Sequence, residues 1–215
     1  MLVQNRMSAP AVTIAPDAVF RDALKLMHRR RSRRLPVVDK GGRLVGIVSE
    51  HDLPHVSSSY APALSVWDLN YLLSSVRIGQ VMTTDVITTT PETTIEDAAR
   101  LMADNRVSVL PVVNERNHVV GVITETDIFD AFIEMLAGGQ PGLRLTLLVR
   151  DRNEVLLALS KAVSELGGQI VGVGCFPGDV VGKLGLVVKV KDTGKAQLTD
   201  ELEALGDHVV EAREV

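Results

Sequence analysis

Apolar and polar positions along the chain follow one rhythm twice, then change to another near residue 138. In residues 1–60, an apolar run at 11–14 closed by Pro16 predicts a short strand. Apolar positions 19, 20, 23, 24, 26 and 27 then recur at helical spacing, which predicts a helix entered just after the proline with Asp17 as its N-cap. Residues 35–38 and 44–48 predict two strands, and Asp39-Lys40-Gly41-Gly42 between them is a hairpin signal. Ser49 with Asp52 three positions on predicts the start of another helix, at capping-box spacing. Residues 78–137 give the same β-α-β-β-α order: a strand at 86–88, a helix at 94–105, a hairpin at 110–113 and 119–123, and a helix from Thr124 through Phe129, Phe132 and Met135. Every landmark recurs 75 residues later, Pro36 on Pro111, Gly46 on Gly121, Ser49 on Thr124 and Asp52 on Asp127. Residues 61–77 carry Leu64, Val66, Trp67, Leu69 and Leu72 at helical spacing and read as a connecting helix.

Gly138-Gly139-Gln140-Pro141-Gly142 reads as an interdomain linker, 138–142. Residues 143–215 then predict strand, helix, strand, strand, helix, strand, with Gly167-Gly168 and Gly206 ending the two helices. That β-α-β-β-α-β order is the ferredoxin-like arrangement. Cys175 falls in an apolar strand and reads as buried and inert. The fold class expected is α+β: two repeats forming a pseudo-two-fold module, followed by a ferredoxin-like domain.

Composition narrows the functions. Hydrophobic residues make up 46% and charged residues 23% of the 215, as in ordinary globular proteins. Aromatics at 3% and a net charge of -4 argue against nucleic-acid binding, which calls for stacking rings and a basic surface. A single cysteine cannot form an intrachain disulfide, and no Cys/His spacing suits zinc. The opening residues lack an apolar signal core and no apolar run reaches the ~18 residues of a membrane span, so a cytoplasmic protein is expected. No nucleophile-base-acid set, P-loop or metal triad is evident, so no enzyme is expected.

The capped helix starts carry the candidate chemistry. A helix N-terminus offers free N–H groups and partial positive charge to a phosphate, and the Ser49 or Thr124 hydroxyl adds a donor. The aspartate three positions on, Asp52 or Asp127, lies on the same helical edge, where its carboxylate can accept bonds from ribose hydroxyls. The same spacing also serves as a plain capping box. A second feature distinguishes the copies. Residues 29–34 contain five arginines, whereas 104–109 contain one. Arg33 or Arg34 could fork a phosphate, or the run could be a solvated helix end favoured by the macrodipole.

The repeat resembles the CBS domain. The marks are M-(S/T) at Met7 and Met82, the P-(D/E)-x-x-(F/I)-x-D-A helix entry, L-P-V-V, and G-h-h-(S/T)-E-x-D. Two such domains in tandem look like a Bateman module. The last segment resembles an ACT domain, in its strand-helix order and opening Val149-Arg150-Asp151-Arg152. The combination is similar to the acetoin utilization acuB family, and the text SVWDLNYLL at 65–73 adds to that likeness. The resemblance implies a regulator binding AMP, ADP, ATP or S-adenosylmethionine, with Asp52 and Asp127 on ribose and Ser49 and Thr124 near phosphate. Thr13 and Thr88 are candidates near base or sugar; Ile14, Val37, Val38, Val112 and Val113 are candidate adenine walls. In the ACT-like segment Glu154 stands where the family turn has glycine. That domain therefore reads chiefly as a homodimerisation element, with Asp151 and Asn153 as the candidate effector contacts. A metabolic enzyme is the expected partner of a regulator of this kind, and a subunit docking on such an enzyme without any ligand is the alternative. The two clefts are expected to differ, Ser49 and His51 going with the arginine run and Thr124 and Thr126 with a nearly neutral approach, and the phosphate-rich ligand to favour the arginines.

Overall fold

Both hairpins form where turn chemistry separates apolar runs. Strand β1 (Arg34–Val38) pairs antiparallel with β2 (Leu44–Ser49), and β3 (Val109–Val113) with β4 (Val119–Thr124), each with a register shift at the same place. The turns need one left-handed residue each, met by Gly42 (φ 81°) in the first and Asn117 (φ 60°) in the second. Asp39 Oδ1 closes the first turn by accepting from the N–H groups of Arg43 and Gly41, which hold its carboxyl below the usual carboxylate range. Asn114 Oδ1 does the same for Arg116 and His118.

This computed structural model describes residues 1–52, 75–150, 154–178 and 182–215. The connecting helix expected at 61–77 falls outside them up to residue 74, as do Asp151, Asn153 and most of the helix expected after Ser49. The strands expected at 11–14 and 86–88 shrink to single parallel bridges, Ile14 to Val37 and Thr89 to Val112. Pro16 and Pro91, two residues on, have no N–H with which to continue either ladder.

Helix α1 (Phe20–Arg30) starts later than expected, with Val19 rather than Asp17 as its N-cap. The Phe20 N–H is bonded to the Val76 carbonyl at 2.9 Å, so a distant backbone oxygen does the work of a side-chain cap. Val76 leads into the short helix α2 (Ile78–Val81) of the second repeat. The mirror arrangement holds for α3 (Ile95–Asn105): Thr94 caps it by accepting from Asp97 N–H, and Ile95 N–H bonds the Met1 carbonyl.

The two repeats therefore exchange their leading segments. Ile78 packs into the first repeat's core with Phe20, Ala23, Met27, Leu35, Val37 and Val48. Val3, its counterpart in a 3-10 turn (Val3–Asn5), packs into the second with Ala98, Met102, Leu110, Val112 and Ile123. Ser8 bridges Val122 on β4, and Thr83 bridges Ile47 on β2. The glycines of the repeat make this possible. A Cβ at Gly46 would lie 2.6 Å from Met82 Sδ and 3.0 Å from the Thr83 carbonyl oxygen, and one at Gly121 would meet Met7 and Ser8 in the same way. A boundary between residues 60 and 78 thus divides the sequence but not the packing.

Contacts separate Met1–Ile128 from Phe129–Val215, and the division falls inside α4 (Glu125–Met135). The second unit continues as β5 (Leu143–Arg150), α5 (Val155–Glu165), β6 (Gln169–Pro177), β7 (Lys183–Lys191), α6 (Lys195–Ala204) and β8 (His208–Glu214). Its antiparallel sheet runs β6-β7-β5-β8. Alternate β5 residues Leu143, Leu145, Leu147 and Val149 join Leu159, Val163, Leu198 and Leu202 of the helices in one core.

The glycine-rich stretch expected as a free linker is tied to this sheet. Buried Lys189 donates from Nζ to the Ala137 carbonyl at 3.0 Å, and Gly142 exchanges two backbone bonds with Val215. Gly172 and Gly174 on β6 leave the space that Leu136 fills. A Cβ on Gly172 would sit 2.8 Å from the Leu136 carbonyl carbon, which cannot swing aside as a side-chain tip would. Gly172→Ala is expected to cost about 1–3 kcal/mol in chemical denaturation of the full chain, and a loss below about 0.5 kcal/mol, the ordinary surface scatter, would contradict this packing. Cys175, expected buried, is exposed because β6 is an edge strand.

Candidate functional site

The strand-to-helix junctions of the two repeats are capped in related ways. At the second, Thr124 donates from both its N–H and its hydroxyl to Asp127 Oδ2, each at 2.7 Å, and Asp127 N–H donates back to Thr124 Oγ1 at 3.3 Å. At the first, Ser49 N–H donates to Asp52 Oδ2 at 2.6 Å and His51 N–H to Ser49 Oγ at 3.3 Å. Each aspartate thus commits one carboxylate oxygen to its cap. Its other oxygen takes no bond from any described residue, so capping and ligand binding do not compete for the same atom.

Because the leading segments are exchanged, each junction faces a wall from the other repeat. Thr124, Glu125, Thr126 and Asp127 of the second repeat line a cleft of about 640 Å³ with Ser8, Pro10, Ala11 and Val12 of the first. The first repeat also sends Arg30, Arg31, Arg33 and Arg34 into this cleft. Ser49 and Asp52 line a smaller cleft of about 240 Å³ with Thr83, Asp85, Val86, Ile87, Arg106 and Val107 of the second repeat. Ligand pockets commonly span about 300–1,000 Å³, a range the first cleft falls within and the second, as bounded by described residues, does not.

The expected pairing of the arginine run with Ser49 and His51 is therefore reversed. Four arginines meet two carboxylates, Glu125 and Asp127, in the larger cleft. Arg34 and Arg106 meet Asp52 and Asp85 in the smaller. Arg31 and Arg106 are equivalent positions and both are left-handed, at φ 51° and 54°. Each ends a helix as C-cap residue, a place where glycine or asparagine is the unstrained choice. Arg33 reaches no further than the rim: its side chain is 85% exposed and its Nε lies 4.0 Å from Glu50 Oε1.

Thr13 and Thr88 line neither cleft. Val12 and Ile14 pack against the first repeat's core, and Thr13 between them lines a separate groove with Asp17, Asp39 and Lys40. Ile14, Val37, Val38, Val112 and Val113 are likewise absent from both clefts, whose apolar walls include Val12, Val109 and Val122 in one and Ile47, Val48, Val86, Ile87, Val107 and Val109 in the other. Sequence reasoning missed Ser8, Ser108 and Asp85. Their signal was the 75-residue offset, which only the exchange of segments turns into cleft positions. Among the described residues no helix is long and apolar enough to cross a membrane, and no group of His, Cys, Asp and Glu is arranged to hold a metal ion.

Known proteins are similar to this chain in sequence and fold. The CBS domain pair of protein MJ0100, solved in complex with 5′-methylthioadenosine and S-adenosyl-L-methionine, is 30% identical, with a TM-score of 0.50 over 61% of this chain and 95% of that one. CBSX2 of Arabidopsis thaliana in complex with AMP is 26% identical, with a TM-score of 0.53 over 62% and 97%. A putative acetoin utilization protein (AcuB) from Vibrio cholerae is 28% identical, with a TM-score of 0.52 over 62% and 90%. The CBS domain profile itself matches residues 3–57 and 78–134, together more than half of the chain. Two matched copies, exchanged around two clefts, make this a tandem CBS domain pair, and the chain belongs to the CBS domain family.

Proposed function

We propose that this CBS pair is a regulatory sensor whose larger cleft binds an adenine nucleotide. The observation that carries this reading is the convergence of Arg30, Arg31 and Arg34 on the helix start at Thr124 and Asp127. The free Asp127 oxygen accepts ribose hydroxyls, the helix N-terminus and the arginines take the phosphate, and Val12, Val109 and Val122 wall the base. The complexes of two similar CBS pairs, with AMP and with S-adenosylmethionine, support the adenosine class. Ser49 and Asp52 serve an adenosine derivative in the smaller cleft. Arg33 assists from the rim, and Thr13 and Thr88 have no part.

The Phe129–Val215 unit supports an ACT-like reading through its element and strand order. Its exposed Leu156, Leu157, Val173 and Phe176 favour a homodimer, with Asp151 and Asn153 as further effector contacts. The controlled partner in this reading is a cytoplasmic metabolic enzyme, and the likeness to a putative acetoin utilization protein supports carbon metabolism as its setting. In this reading the chain has no catalytic step of its own.

Calorimetry of the full chain with AMP, ADP, ATP and S-adenosylmethionine tests the proposal. Dissociation constants well below millimolar, tightest for a phosphate-bearing ligand and weakened by salt, are expected. No binding below the millimolar range from any of the four would sink it. One observation favours a second reading, an interaction subunit needing no ligand: both caps are already closed by their own side chains. A stable partner captured equally well with and without nucleotide would favour that reading.

A further inference from the structure

Arg34 and Val109 hold equivalent positions in the two repeats, and both line both clefts. They mark the pseudo-two-fold axis between the sites, and that axis carries one guanidinium rather than two. The register of the first hairpin sets Arg34 directly opposite Ser49, beside the cap of the smaller cleft. Its Nη1 donates to Ser108 Oγ, on the wall of the larger one. With its backbone fixed in β1, the half-buried side chain can present its planar fork to one anion at a time.

The two clefts depend on Arg34 unequally. The larger keeps Arg30, Arg31 and Arg33 without it. Among the described residues the smaller keeps only Arg106 against Asp52 and Asp85, and their balance changes to net negative when Arg34 turns away. We propose that Arg34 is a shared phosphate ligand that couples the clefts antagonistically. A nucleotide phosphate in the larger cleft holds Arg34 there and turns the smaller one against anions, leaving it suited to uncharged or cationic adenosine derivatives. The ligand is that of the nucleotide reading above, on which this inference rests.

Calorimetric titration of the full chain with AMP provides the test. Asp52→Ala isolates the larger cleft and Asp127→Ala the smaller, with Asp52→Asn and Asp127→Asn in their place if circular dichroism shows either alanine variant unfolded. In the unmodified chain the second AMP should bind at least about fivefold more weakly than to its isolated cleft. In Arg34→Gln the two events should be independent to within about twofold. Ser108→Ala, which removes only the resting partner, should keep the coupling. One AMP per chain, with the smaller cleft opening to AMP in Asp127→Ala, is the strong limit of the same result. Two AMP bound independently by the unmodified chain would overturn the coupling and leave the nucleotide reading intact, and so would coupling undiminished in Arg34→Gln or a smaller cleft that stays closed in Asp127→Ala. No AMP bound by any form would overturn the coupling, and the nucleotide reading falls with it only if ADP, ATP and S-adenosylmethionine also fail to bind the unmodified chain.

Discussion

Ile78→Ala is expected to lower the stability of the Met1–Ile128 unit by about 2–5 kcal/mol. The residue is 0% exposed and packs against Phe20, Met27 and Leu35, side chains of the other repeat. Truncation removes apolar contacts and leaves a cavity that the neighbouring hairpin and helix can collapse into only in part. Its surroundings are also pinned by backbone: Ile78 N–H bonds the Ala18 carbonyl at 3.0 Å and Gly79 N–H the Pro16 carbonyl at 2.8 Å. The milder Ile78→Val should cost about 0.5–1.5 kcal/mol. Urea denaturation followed by far-ultraviolet circular dichroism checks both. A loss under about 1 kcal/mol for Ile78→Ala would mean that the residue does not reach the first repeat's core in solution.

That exchange separates what the sequence shows from what it hides. The hairpins, the span of α3 and the matching of the two repeats were legible, because each follows from local periodicity and turn chemistry. Which repeat a leading segment packs on was not. Val3 and Ile78 are equivalent apolar positions, and a repeat pattern is the same whether each segment folds onto its own copy or onto the other. The site inherited that ambiguity. Arg34 sits opposite Ser49 in the first hairpin, yet it and residues 30–33 line the cleft of Thr124 and Asp127. The Asp17 cap was misplaced because α1 takes its first backbone partner from Val76, far off in sequence. Cys175 was misread because an apolar strand looks alike at the centre and at the edge of a sheet. Gly172 and Gly174 admit Leu136 of the same chain, a contact that the strand pattern of β6 does not show.

Asp127→Ala should weaken AMP binding to the larger cleft by about 10- to 100-fold, the scale of one lost hydrogen bond to a charged group. The same change removes the acceptor of two bonds from Thr124, so a cap loss of about 0.5–2 kcal/mol in stability is expected alongside it. Asp127→Asn separates the two effects. Its amide oxygen can still accept from Thr124 N–H, which preserves much of the cap, while the charge and the second acceptor offered to ribose are gone. Affinity should therefore fall nearly as far in Asp127→Asn as in Asp127→Ala, while the urea midpoint of Asp127→Asn stays closer to that of the unmodified chain. Arg30→Gln should lower affinity too, but chiefly at low ionic strength, since a charge at the end of α1 acts through a screened field. If affinity in the Asp127 variants merely followed the loss of stability, Asp127 would be a capping residue and the ribose contact would have to be given up.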